Sequence, residues 1–204
     1  MPENKACTLV AYMRVGQIDT SKPLYPPERH KEVERCKNAR AKQEKYSVWK
    51  LLEKVVVNYL NLDFANLQFT KTANGKWICP DFHFSLSHTD GLVCVAVSWA
   101  EVGVDVEIVR DINEGLKKRI LTEKELSFME TLPSEEKQRF LLESWVKKES
   151  IFKKSGDKML MPNNIETSEY RTELRYIEIG GDRYLISVSD DANAKNNFRF
   201  MEEI

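Results

Sequence analysis

The sequence predicts an α+β protein built from two halves that share an interface. Three observations carry that expectation. Apolar residues alternate with period two in several short runs and recur at helical spacing in others. Both kinds of run occur on either side of Ala100-Glu101, and no low-complexity linker separates the sides. At 204 residues the chain can bury a substantial core, as one domain or as two small halves. The expected division is therefore 1–100 and 101–204, although no repeat of residue identity relates the two parts.

Residues 7–15 are apolar enough for an opening strand, and Tyr25-Pro26-Pro27 then stops regular structure. Residues 28–45 are charged and helical in character. Val48, Leu51, Leu52, Val55, Val56 and Tyr59 recur at helical spacing, which predicts a core-facing helix from Tyr46 to about Leu60. Asn74-Gly75 is the strongest turn signal in the chain. Residues 84–87 and 92–99 read as strands around the turn Thr89-Asp90-Gly91. Val102, Val104, Val106 and Ile108 alternate with Gly103, Asp105 and Glu107, the period of a half-buried strand.

Thr122-Glu123-Lys124-Glu125 has the form of a capping box, so a helix should begin after Thr122. Ser134 is a second N-cap candidate. The helix from Glu135 is expected to turn Phe140, Leu141, Trp145 and Phe152 inward and to stop at Gly156. Residues 175–179 and 184–188, joined through Gly180-Gly181, make a closing hairpin.

Composition narrows the function classes. Hydrophobic residues make up 42% and charged residues 31%, ordinary values for a globular chain. A net charge of -1 gives no global attraction to nucleic acid or to a membrane, so any anion site must be local. No apolar run approaches the roughly 20 residues of a membrane span. The four cysteines, Cys7, Cys36, Cys79 and Cys94, form no CxxC pair, and three histidines make a zinc site a poor reading. Free thiols in a reducing cytoplasm are expected, with no secretory start.

Chemistry concentrates in three places. Asp105 and Glu107 lie two apart on a strand, so both side chains leave one face, about 7 Å apart. That face is either a solvated side of a sheet or an acidic site, and Gly103 would let a backbone or a ligand approach beside it. Glu149 and Lys153 lie four apart on a helix, as a surface ion pair or as functional groups, with Lys153 and Lys154 expected to face solvent near the helix end. Three acids and a lysine suit the holding of a divalent cation against a pyrophosphate. Phe84-Ser85-Leu86-Ser87-His88 ends in a turn that is either simply polar or a phosphate contact through His88 and nearby N–H groups. Ser87 and His88 cannot be a nucleophile–base pair, because adjacent strand side chains point to opposite faces. Asn74-Gly75-Lys76 presents one further lysine.

In this order the segments resemble the 4′-phosphopantetheinyl transferases of the surfactin-synthetase-activating type. The resemblance runs through Gly75-Lys76, Phe84 to His88, Gly103-Val104-Asp105-Val106-Glu107 and the helix Trp145-Val146-Lys147-Lys148-Glu149-Ser150-Ile151-Phe152-Lys153-Lys154-Ser155-Gly156. It implies two similar α+β halves in one chain, a pseudo-twofold unit with the active site between them. The N-terminal half would contact coenzyme A, and the C-terminal half would carry the acids and the catalytic helix. The implied reaction is attack of a carrier-protein serine on the β-phosphorus of coenzyme A, with release of 3′,5′-ADP. Asp105, Glu107 and Glu149 would hold Mg²⁺. Glu149 would help to deprotonate the serine, and Lys153 would stabilise the leaving diphosphate.

Lys76, Ser87 and His88 carry over as coenzyme A contacts, and Arg29 and Lys31 as contacts to its nucleotide phosphates. The family has Arg-Ser or Arg-Thr where this chain has Tyr46-Ser47, leaving Lys45 or Lys42 as replacements for that arginine. The expected partners are coenzyme A and an apo acyl or peptidyl carrier protein, with the enzyme a cytoplasmic monomer that binds neither nucleic acid nor membrane. Two alternatives remain: a Mg²⁺-dependent nucleotide pyrophosphatase using the same acids, and a carrier-binding module without catalysis.

Overall fold

A computed structural model describes residues 7–191 and 197–203. In chain order the elements are β1 (Cys7–Arg14), α1 (Pro27–Glu34), α2 (Ala39–Val55), β2 (Thr70–Lys71), β3 (Trp77–Ile78), β4 (His83–Thr89), β5 (Leu92–Ser98) and β6 (Val102–Ile108). There follow α3 (Lys117–Ile120), α4 (Glu123–Thr131), α5 (Ser134–Ser155), β7 (Thr172–Ile179), β8 (Asp182–Asp190) and β9 (Asn197–Glu202). Helix and sheet are mixed along the chain, an α+β fold as expected. Among the described residues no helix is long and apolar enough to cross a membrane.

Two main sheets organise the molecule. The first has the order β4-β5-β1-β9, and the second β6-β8-β7, antiparallel throughout. Strand β9 pairs in parallel with β1, so the last described segment completes the sheet that the first strand began. That strand was not foreseen, because six residues alternating through Arg199 and Glu202 carry little periodic signal. Strand β5 is buried at every position, and its alternation divides two cores. Val93, Val95 and Val97 face Trp49, Leu52 and Phe84 on the α2 side. Leu92, Cys94 and Ala96 face Val104, Val106, Ile186 and Val188 from the second sheet.

Where the sheets meet, side chains replace a backbone ladder. The Ser85 hydroxyl accepts from the Val104 amide at 3.0 Å, and the Ser87 hydroxyl from the Val106 amide at 3.2 Å. Two serines two residues apart on β4 thus match two amides two residues apart on β6, as the shared pleat requires. Strand β6 is therefore covered on both faces, and Asp105 is only 4% exposed. The solvated-sheet alternative for that strand is overturned.

The helices follow the sequence with three corrections. The long helix starts at Ala39 rather than Tyr46, because the Asn38 side chain caps it by accepting from the Ala41 amide at 2.9 Å. Its first two turns lie in the charged stretch 28–45 already expected to be helical, and what the sequence did not show is the break between α1 and α2. Thr122 and Glu125 do form the reciprocal capping box. Ser134 is instead the first residue of α5, with Pro133 at the cap position. The buried side of α5 is Leu141, Leu142, Val146 and Ile151 together with Ser144, Lys148 and Ser150, whereas Phe140, Trp145 and Phe152 are half-buried. Gly156 ends the helix in the left-handed conformation, with φ 68°.

Candidate active site

Gly103 determines how close α5 comes to β6. A Cβ at this position would lie 1.9 Å from the Ser150 carbonyl oxygen and 2.5 Å from the Lys154 amide nitrogen. The two backbones touch there, as only glycine permits. The face of β6 that carries Asp105 and Glu107 therefore lies directly against the face of α5 that carries Trp145, Glu149 and Lys153. The Lys153 Nζ donates to Asp105 Oδ1 at 2.6 Å and to the Ser87 hydroxyl at 2.9 Å. The Ser87 hydroxyl in turn donates to Asp105 Oδ1 at 2.9 Å. Glu107 accepts from Thr89 Oγ1 at 3.2 Å and from Trp145 Nε1 at 3.4 Å.

Burial beside other carboxylates perturbs Glu149 and Glu107. Burial pushes Glu149 up to about 7, helped by the charges of Asp105 and Glu107 and opposed by Lys153. Burial and Asp105 also raise Glu107. Burial alone would lower Lys153, but Asp105, Glu149 and Glu107 outweigh it and hold the ammonium above its ordinary value. Lys153 is about a quarter exposed and Lys154 less so, with the Lys154 Nζ donating to the Asp190 carbonyl at 3.0 Å. Neither is the solvent-facing lysine that its place near the helix end suggested.

Among the described residues no three His, Cys, Asp or Glu side chains form a ready-made cation cage. The donor chemistry nonetheless suits a hard divalent cation. Asp105 Oδ2 is buried without a hydrogen-bond partner, and Glu149 carries a proton affinity that nearby positive charge would relieve.

Beside the acids lies a cavity of about 360 Å³, lined with basic side chains from both parts of the chain, Arg29, Lys45, Lys76, Lys153 and Lys158, together with the His88 ring. Arg29 is buried against the Trp49 ring, donates to the Lys45 carbonyl at 2.8 Å and pairs with Glu32 at 3.2 Å. Its Nε is buried without a partner. Lys76 donates to the Lys154 carbonyl at 2.9 Å, and burial holds its pKa below the ordinary lysine value.

The structure thus brings Arg29, Lys76, His88 and Lys153 to one cavity. Ser87 is buried and committed to Asp105, Val106 and Lys153, and Lys31 is exposed on α1 away from the lining. Lys45 lines the cavity, whereas Lys42 lies 4.0 Å from Glu34. Tyr46 belongs to the core.

A model of the 4′-phosphopantetheinyl transferase superfamily matches residues 101–197, the stretch that contains every acid of the cluster. The 4′-phosphopantetheinyl transferase HetI of Nostoc sp. is 24% identical over 201 residues, covering 94% of this chain and 80% of that protein. The chain is similar to the 4′-phosphopantetheinyl transferases. Shorter matches join it to the 4′-phosphopantetheinyl transferase gsp of Aneurinibacillus migulanus, 30% identical over 56% of this chain and 48% of that protein. The 4′-phosphopantetheinyl transferase Sfp of Bacillus subtilis is 27% identical over 55% of this chain and 51% of that protein. In these two cases the match spans about half of the relative's length.

Around this site two groups escaped the sequence reading. Glu44 is a buried carboxylate on α2 that takes the His88 ring, the Gly91 amide and Arg40 as donors. Lys148, fully buried, donates to Glu125 and to the carbonyls of Ile120 at 2.7 Å and Pro162 at 3.0 Å. It pins the segments flanking α5 one residue before Glu149. A lysine inside an otherwise ordinary charged helix gives no sign of burial. Only its place between Val146 and Ser150 on the inward face would have shown it.

Proposed function

We propose that this chain transfers the 4′-phosphopantetheine group from coenzyme A to a serine of an apo carrier protein, releasing 3′,5′-ADP. One observation carries the reading: the acid cluster lies beside two cavities with different linings. Lys153 lines the cationic cavity, which suits the phosphates of coenzyme A. Glu107 and Trp145 line a second, larger one of about 560 Å³, with Ile112, Leu116, Leu142 and Leu160 around it. That lining, apolar side chains with Arg110 and Arg119 among them, suits a protein surface delivering a serine.

Arg29, Lys45, Lys76 and His88 bind and orient the nucleotide phosphates. Asp105, Glu107 and Glu149 would hold Mg²⁺, which when bound supplies positive charge at the pyrophosphate. Glu149, perturbed toward neutrality, takes the serine proton directly or through a water. The serine oxygen bonds to the phosphorus as the bond from that phosphorus to the 3′,5′-ADP oxygen breaks. Lys153 donates to the phosphate that departs. Ser87 and Asp105 hold that ammonium in place. The two parts of the chain act as one monomeric unit in the cytoplasm, in keeping with four unpaired cysteines.

The test is incubation with coenzyme A, Mg²⁺ and a panel of apo carrier proteins. A phosphopantetheine mass gain on the carrier with matching 3′,5′-ADP is the expected result. Free 4′-phosphopantetheine formed without a carrier would assign a pyrophosphatase instead.

A further inference from the structure

Glu44 sits in α2 with its side chain 8% exposed, and each of its oxygens is engaged. Oε1 accepts from the Gly91 amide at 3.0 Å and from Arg40 Nε at 3.1 Å. Oε2 lies 3.0 Å from His88 Nδ1. Arg40 in turn reaches Asp90 at 3.0 Å, so α2 grips the whole Thr89-Asp90-Gly91 turn. His88 lines the cationic cavity, and no hydrogen bond engages its Nε2 among the described residues. A ring held at one nitrogen by a carboxylate presents its other nitrogen in a fixed direction.

We propose that Glu44 is a positioning residue, which fixes the His88 ring by Nδ1 and lets Nε2 take up a proton when a phosphate group of the ligand enters the cavity. The proposal rests on the reading of this cavity as the coenzyme A site. The charges that face the ring are Glu44 and Lys45 from α2 and Lys153 from α5. In the free protein, burial and the two lysines outweigh Glu44, and His88 is held below its ordinary value. A neutral ring donating through Nδ1 to Glu44 then offers only a lone pair at Nε2, which a phosphate oxygen repels. An incoming phosphate adds the negative charge that tips the balance, and the proton that enters at Nε2 becomes a donor to it. Without the Glu44 charge, the imidazolium would face two lysines unaided.

Titration calorimetry with coenzyme A at pH 7, in two buffers of different ionisation enthalpy, measures proton uptake directly. The unsubstituted protein is expected to take up a fraction of a proton on binding. Glu44→Gln should abolish that uptake and weaken binding about tenfold, one pKa unit's worth of proton affinity. His88→Ala should abolish uptake as well, and the double variant should be no weaker than the weaker single one. In turnover assays Glu44→Gln should raise the KM for coenzyme A more than it lowers kcat.

Unchanged uptake and affinity in Glu44→Gln would overturn the proposal. Absence of coenzyme A binding by the unsubstituted protein would overturn the cavity assignment beneath it. Nitrogen NMR of the unsubstituted protein decides the matter even if the variant fails to fold, since the chain has only three histidines. The His88 ring should carry its proton on Nδ1 when free and become an imidazolium on adding coenzyme A. An Nε2–H tautomer in the free protein, or no change on addition, would overturn it.

Discussion

Replacing Glu149 with glutamine should stabilise the protein at alkaline pH while stopping the reaction. The folded carboxyl is pushed up to about 7 from an ordinary value of 4.5, first by burial and then by Asp105. A tenfold change in proton affinity corresponds to about 1.4 kcal/mol, so the ceiling on the effect is about 3 kcal/mol. Water reaching this half-buried group screens part of that, leaving about 1–2 kcal/mol. The sign follows from a folded pKa above the unfolded one. The contribution is full below pH 4.5 and is lost as pH rises through 7, where the ionised carboxylate opposes folding. The glutamine side chain keeps the shape and drops the charge. Urea unfolding in EDTA, followed by tryptophan fluorescence, should show Glu149→Gln more stable than the parent at pH 8 and equal to it at pH 4.5. An equal gain at both pH values, or none at pH 8, would refute the electrostatic account of the cluster.

Three further outcomes are expected. Lys153→Ala should lower turnover roughly 10²–10³-fold, as for a donor aimed at developing charge. Lys137→Ala, also on α5, removes a partly buried lysine that pairs with Glu130 of α4 and should leave the rate unchanged, and equal small losses in both would make Lys153 ordinary. Lys76→Ala should weaken coenzyme A binding by calorimetry more than it slows turnover at saturation, and an unchanged affinity would remove it from the phosphate cavity. Gly103→Ala should destabilise the fold by about 1–3 kcal/mol or more, because the new methyl meets the α5 backbone rather than a yielding side chain. A thermal melt within a degree of the parent would refute the close approach.

What the sequence made legible was whatever repeats with a period or follows from local chemistry. Strand β6 could be read from its valines to the residue, the α4 cap from Thr122 and Glu125, and the end of α5 from Gly156. Gly103 was correctly read as a point of close approach, and the partner proves to be the α5 backbone rather than a ligand. The failures have other causes. The start of α2 had a local signal, the Asn38 cap, that was passed over, whereas the burial of Lys148 and the internal use of Ser87 depend on partners 23 and 18 residues away that no local pattern names. Glu44 was invisible for the same reason, since its partners His88 and Gly91 lie 44 and 47 residues on.

The placement of Lys153 joins these observations. An ion pair at helical spacing with Glu149 was the plainest reading of that lysine, yet its Nζ turns to Asp105 across the interface. A cluster of three carboxylates around a buried aspartate is unstable without positive charge. In this structure the ammonium provides it from inside the chain, touching only one oxygen of Asp105 and leaving Oδ2 without a partner. Glu149 and Glu107, both buried beside Asp105, are the acids whose ionisation is held back. On the proposed mechanism, in which Glu149 takes the serine proton, that condition raises its basicity. The packing of Gly103 against α5 thus does more than close a gap, because it brings the Lys153 ammonium onto Asp105 and buries Glu149 beside the same acids.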